Sequence, residues 1–558
     1  MIYSFSKTSV VHGKNNSERT VTKKTVPITE RSTAMKTLFR NGTVFDGSGS
    51  SPFTGDVLIE NDRIIKVGDC GSEADKVIDM TGLYVCPGFI DAHSHNDFFC
   101  DRDDSEKFFR PFIEQGITTQ ITGNCSFSAF GTDASTEFRD KLGGGLFESR
   151  FAGSLSDFCK KLGGKLHVNI VPLVGHGAVR AGLRGYDPSP LSAKELEKEI
   201  ECVHRAMEDG AFGGSMGFMY EPNMYATKDE LYAFANEIAK YDGILTVHAR
   251  ACSAVSADYP LITKKSHLEL ALDEIVDIME KTGCKTEYSH LIFTGKRSWS
   301  KVDVMLNRFH ELKKQGKPIA FDNYAFHYGA SVITIVFPEW YAKLTKEQAA
   351  SPVNRFKLFM TILMYRKVLG IDWEDMTVAY ISDEHPEFEG KTVLQLANEA
   401  GMKPLDMYLK LVELSERRGR IYLGKYYNDD IVHRLMEDDM SVFMTDAWLE
   451  EKGLQNIAAF QTFPQFFLLA KRWNIKPETV VRKMTGATAD RFGIKERGYL
   501  KEGYKADLSI IDPKTLSVDE TRPDARPGGI HSVYINGKPV LENCAYLGGT
   551  NGEFILKK

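Results

Sequence analysis

Two histidines one residue apart, His93 and His95, lie in the run GFIDAHSHND at residues 88 to 97. Side chains at i and i+2 of an extended chain share a face, so two imidazoles placed this way can grip one ion. Alone, the pair is better explained by a satisfied polar residue beside a solvent-facing one. Further along, apolar runs repeatedly finish in polar groups: Cys125, His176, Tyr220, His248 with Arg250, His290, Asp322 with Tyr324, and Asp446. Imidazole, thiolate and carboxylate are the donors that zinc prefers, and a catalytic zinc keeps one position open for water. Singly, His248 reads as a core histidine, Cys125 as an inert buried thiol and Asp446 as a helix N-cap. Their shared position at the ends of strand-like runs makes them ligand and catalytic candidates.

The runs that would position these groups are GFIDAHSH, GITTQITGNCS, HVNIVPLVGHG, GAFGGSMGFMY, GILTVHAR, KTEYSHLI, PIAFDNYAF and SVFMTDAW. Helical patterns separate several of them. In residues 227 to 241, Thr227 and Glu230 have capping-box spacing, and Leu231, Phe234, Ala235, Ile238 and Ala239 form one apolar stripe. Apolar strands alternating with helices, without a glycine-rich phosphate loop, predict an α/β chain built as a (β/α)8 TIM-like barrel over residues 89 to 495. A segment of about residues 328 to 438 is expected as an insertion over its mouth. Short strand-like runs at both chain ends predict a small β-sandwich domain from residues 35 to 88 and 496 to 558, with a hairpin at Asn536-Gly537. Residues 1 to 34 are polar and aperiodic and read as a disordered tail, with Met35 a candidate alternative start.

Composition narrows the function classes. With 558 residues, 42% hydrophobic and 26% charged, the chain can bury a large core. No run is long and apolar enough to cross a bilayer, so no membrane partner is expected. A net charge of -6 and a pI near 6.2 argue against nucleic acid and for a small-molecule substrate. The 9 cysteines are scattered, with no secretory signal ahead of them, which fits a reducing cytoplasm.

Taken together, GFIDAHSHND, GITTQITGNCSFS, VPLVGHGAVR, GGSMGFMYEP, VHAR, YSHL, HPEFEGKT and KMTGATADRFGIKERGYLKEGYKADLSIIDP resemble the amidohydrolase superfamily. Within it they are most similar to the N-acyl-D-amino-acid deacylases, or D-aminoacylases. The resemblance spans roughly residues 36 to 545, and its GNC element is the part most specific to that branch. It implies a zinc-dependent hydrolase of a linear, non-peptide amide, with one tight zinc on Cys125, His248 and His290. His93 and His95 would offer a second, weaker site. Asp446 would be the general acid/base that takes a proton from a metal-activated water and returns it to the leaving amine. Tyr220 would polarise the carbonyl oxygen, and His176 would stand behind the site.

The chain departs from that pattern in two places. Members of the family carry His-Pro-Arg after the last-strand aspartate, where the arginine holds the substrate carboxylate. QTFPQFF, with Gln465, stands in place of that motif and lacks the guanidinium. After His290, Leu291, Ile292 and Phe293 stand where a His and a Lys are usual. Substrate binding is therefore assigned to Tyr220, Tyr324 and either Arg250 or Lys296, unless Arg250 serves only to neutralise Asp322. A cyclic-amide hydrolase resembling dihydroorotases or hydantoinases is the alternative, weakened by the lack of a fourth-strand lysine. A binding barrel without turnover is a further one.

Overall fold

The computed structural model describes residues 35 to 132 and 151 to 558, apart from residues 257, 261, 335, 336 and 343. The expected tail, residues 1 to 34, lies outside the described residues.

Eight parallel strands form the central sheet in sequential order: β1 (Phe89–Asp91), β2 (Ile117–Thr122), β3 (Asn169–Gly175), β4 (Gly213–Gly217), β5 (Ile244–His248), β6 (Lys285–Tyr288), β7 (Ile319–Asn323) and β8 (Ser441–Phe443). Each corresponds to one of the runs read from the sequence. β1 to β5, β7 and β8 are buried at every position, because helices cover their outer faces and side chains fill the barrel. The ring closes just beyond β1 and β8. There the Ala92 N–H donates to Phe443 O, the Asp446 N–H donates to His93 O, and Ser94 bridges Ala447 in parallel.

The helix Lys228–Lys240 buries Leu231, Phe234, Ala235 and Ile238 as its stripe predicts. Only half of the expected capping box forms. Thr227 accepts from the Glu230 N–H, but the Glu230 carboxylate turns inward to accept from Arg180 Nε at 2.8 Å. A buried guanidinium outbids the exposed N-cap N–H for that carboxylate.

Strands from both chain ends join in one continuous nine-stranded sheet. The join is Tyr84–Pro87 against Leu508–Ile511, antiparallel. Phe39, Val57, Ile64, Val85, Leu508 and Ile510 lie in its core. The Asn536-Gly537 hairpin is present, with both residues at positive φ (50° and 76°). Between β7 and β8, Gly329–Val332, Met376–Tyr380 and Arg420–Leu423 make a separate three-stranded sheet accompanied by helices.

Candidate active site

The polar groups read at strand ends converge. Cys125 Sγ lies 3.3 Å from His93 Nε2, 3.6 Å from His248 Nδ1 and 3.6 Å from His290 Nε2. Asp446 Oδ1 is 3.5 Å from Nε2 of both His93 and His95. Two groups of potential ligand atoms therefore share His93: one with Cys125 and His290, the other with His95 and Asp446. All five Cys and His side chains are buried.

Three of these residues adopt the left-handed backbone that side chains other than glycine rarely take: Cys125 (φ 53°), His290 (φ 38°) and Asp446 (φ 46°). Each lies two or three residues past the last strand residue, where the turn swings the side chain inward. Such strain persists only where surrounding contacts over-determine it. At the Cys125-Ser126 turn that support is close backbone packing. A Cβ on Gly217 would meet Cys125 O at 2.4 Å, and one on Gly175 would meet Ser126 O at 2.4 Å. The glycines of GGSMG and VGHG let the turn settle between β3 and β4.

Behind the ligand atoms, Asp322 accepts from the His290 N–H and sets Oδ2 3.5 Å from His93 Nδ1. One buried carboxylate on β7 thus fixes the backbone of His290 and stands beside the His93 ring, a role that strand position alone did not reveal. His248 turns Nε2 to the Met219 thioether at 2.6 Å, which leaves Nδ1 for Cys125.

The electrostatics suit a cation. Burial disfavours the charged form of three imidazoles: His93 is pushed down to about 3, and His248 and His290 are also lowered. Burial, followed by the Asp446 and Asp322 carboxylates, pushes the Cys125 thiol up, so a thiolate there requires a positive ion. Burial alone would raise Asp446 as well, but the imidazoles around it outweigh that effect and hold the carboxyl below its usual range. The donor spacing also fits. Sulfur at roughly 2.3 Å and nitrogen at roughly 2.0 Å from a tetrahedral zinc stand about 3.5 Å apart.

Among the expected substrate-binding residues, Tyr220 sets its ring centroid 4.5 Å from that of His248 and 5.0 Å from that of Phe127, tilted to both. Tyr324 is buried beside Tyr427. Arg250 is not turned to Asp322: it grips Glu274 through Nε and Nη2 at 3.0 and 2.8 Å and donates to Phe218 O. Lys296 is exposed, in the loop that follows β6. Gln465 lies inside the helix Ala458–Trp473 and donates to Glu520, so QTFPQFF packs against the C-terminal segment. The loop that does follow Asp446, residues 447 to 457, contains neither His nor Arg, and its one cation, Lys452, pairs with Asp383. The missing guanidinium is thus a property of that loop rather than of Gln465.

His176 is also displaced from its expected place behind the site. Its Nε2 lies 3.2 Å from both Glu199 and Glu230, on the helices outside the barrel.

Known proteins resemble this chain over most of its length. An amidohydrolase family model matches residues 385 to 540. The D-aminoacylase of Alcaligenes xylosoxydans xylosoxydans is 28% identical over 530 residues, covering 93% of this chain and 97% of that one. Over nearly its whole length the chain is similar to the D-aminoacylase branch of the amidohydrolase superfamily. An N-acyl-D-aspartate deacylase of the same organism is 26% identical, covering 90% and 92% of the two chains. A D-aminoacylase crystal structure superposes with a TM-score of 0.76 at 25% identity, covering 94% of this chain and 99% of that one. With these likenesses, this chain is a metal-dependent hydrolase of carbon–nitrogen bonds other than peptide bonds.

Proposed function

We propose that this protein deacylates N-acyl amines of the N-acyl-D-amino-acid type through the site formed by Cys125, His93, His95, His248, His290 and Asp446. The observation that carries this reading is the convergence of three imidazole nitrogens on Cys125 Sγ at 3.3 to 3.6 Å, with Asp446 beside His93 and His95. Relatives that act on N-acyl-D-amino acids support the substrate class.

Cys125, His248 and His290 would hold the tighter zinc, while His93 and His95 would serve a second, weaker site. A divalent ion there supplies a Lewis acid for the amide carbonyl and lowers the pKa of water. Asp446, kept ionised, accepts the proton of the attacking water and delivers it to the departing amine nitrogen, which must leave protonated. Tyr220, packed against His248, would donate its phenol hydrogen to the carbonyl oxygen. Asp322 keeps His93 and His290 in register.

The substrate is a small molecule. The 9 cysteines are all free thiols, which supports a reducing, cytoplasmic setting, and no described helix is long and apolar enough to cross a membrane.

The test is hydrolysis of matched N-acyl-D- and N-acyl-L-amino acids, simple amides and hydantoins by metal-analysed protein. Turnover of the linear D-substrates is expected. Turnover confined to hydantoins would favour the cyclic-amide reading, and a metal-loaded protein that turns over none of them would favour a binding barrel.

A further inference from the structure

The inserted segment carries one helix that is apolar on both sides. In Pro352–Leu369, Leu358 and Ile362 face the protein and are buried, which accounts for one face. Val353, Phe356, Met360 and Met364 fall at i, i+3, i+7 and i+11, a single stripe at 100° per residue, with Phe359 alongside. They are exposed, Val353 at 75%, Phe356 at 66% and Met360 at 48%. Scattered exposed apolar residues need no explanation, whereas a contiguous stripe marks a docking surface.

Charge indicates what covers it. From residue 348 to 371 the chain has no Asp or Glu, but it has Arg355, Lys357, Arg366 and Lys367, within a protein of net charge -6. Arg355 and Arg366 are ion-paired with Asp406 and Asp372. Lys357 and Lys367 remain: Lys357 lies beside the stripe, with Nζ 4.1 Å from the Trp340 ring centroid, and Lys367 follows Met364 at its C-terminal end. An apolar face edged by lysine and an aromatic ring is the pattern of a helix lying in a lipid headgroup layer. A protein partner fits less well. Lysine is depleted in protein interfaces, and one stripe of five side chains falls short of the roughly 800 Å² a side of a stable one.

The helix is also tied to the rim of the active site. Its last residue, Leu369, accepts from the Arg297 N–H in the loop that follows His290. A Cβ on Gly295 in that loop would lie 2.3 Å from Leu369 O, so the two backbones are in close contact.

We infer that the stripe Val353, Phe356, Met360 and Met364, flanked by Lys357 and Lys367, docks this protein on an anionic lipid surface. The expectation of no membrane partner is thereby narrowed to the absence of a membrane span. The inference does not depend on which amide the site cleaves.

The experiment is flotation of the full chain with vesicles of equal parts phosphatidylcholine and phosphatidylglycerol, and with phosphatidylcholine alone. The protein should float with the anionic vesicles and much less with the neutral ones. Phe356→Ser with Met360→Ser, and separately Lys357→Glu with Lys367→Glu, should each weaken binding by about tenfold or more, since each basic residue near such a surface contributes about a kcal/mol. These surface changes should leave melting temperature and metal content unchanged, so any loss is not misfolding. Three outcomes would overturn the inference: no flotation of the wild type, flotation that both variants retain, or a dimer in light scattering that Phe356→Ser with Met360→Ser dissolves without any lipid binding.

Discussion

Asp91 accepts two hydrogen bonds from Thr445, one from its N–H at 2.8 Å and one from its hydroxyl at 2.6 Å. The same carboxylate accepts from the His93 N–H at 3.3 Å. A buried side chain on the first strand thus pins the residue before Asp446 and the first ligand histidine together, across the seam where the barrel closes. Thr445→Val keeps the shape and removes one donor from a carboxylate that burial already pushes up to about 7. The expected cost is about 1–3 kcal/mol in denaturant unfolding. A lower kcat should accompany it as Asp446 loses its position, and Thr445→Ser should restore both. A wild-type unfolding midpoint and kcat in Thr445→Val would remove this pin from the account.

Cys125→Ala should lose most of the bound metal, because the thiol lies within 3.6 Å of three imidazoles. Elemental analysis of the purified variant checks this, and full retained occupancy would take Cys125 out of the ligand set.

Asp446→Asn keeps the side-chain volume and abolishes proton transfer. A fall in kcat of about 10²- to 10⁴-fold is expected, with metal content and melting temperature near wild type. Steady-state kinetics at near-wild-type rate would contradict the general-base role.

The loop after Asp446 carries no guanidinium, Arg250 is held by Glu274, and Lys296 is exposed. A substrate carboxylate would lose hydration that no free cation in this set replaces. The protein should therefore discriminate weakly between an N-acyl amino acid and its uncharged amide. Arg250→Met should cost stability through the orphaned Glu274 more than it alters that ratio. Paired kcat/KM values for acid and amide, in wild type, Arg250→Met and Lys296→Met, decide the matter. A strong acid preference lost only in Lys296→Met would identify that lysine as the anchor, and one surviving both changes would reveal a cation from elsewhere.

Glu199, buried against His176 and Glu230, is pushed up to about 7, chiefly by burial and against the pull of His176. A carboxyl whose folded pKa is raised adds stability that is complete below its unfolded pKa and lost as pH rises through the folded one. Glu199→Gln cannot ionise. Relative to wild type it should therefore gain stability as pH rises from about 5 through about 7, the window set by the unfolded and folded values. Unfolding free energies of both proteins across that range would show it, and a flat difference would mean that Glu199 stays neutral or is compensated throughout.

The barrel was legible because its signal is local. Buried parallel strands read as apolar runs, and all eight appear where those runs stand. The identities of His93, His95, Cys125, His248, His290 and Asp446 were legible for the same reason, since each follows such a run directly. Which atoms meet was decided only by the tertiary structure. Cys125, His290 and Asp446 point inward through left-handed turns that no strand periodicity encodes, the one at Cys125 supported by glycines on other strands. Side-chain partners were equally hidden, because a buried charge takes whichever opposite charge the fold brings nearest. Arg250 found Glu274, 24 residues away, in place of Asp322. Glu230 left its own helix cap for Arg180, 50 residues away. Gln465 was read against a sequence motif, yet it faces Glu520 because a helix carries it to the outside of the barrel. Sequence spacing determines which face of an element a residue occupies, and only packing determines what that face meets.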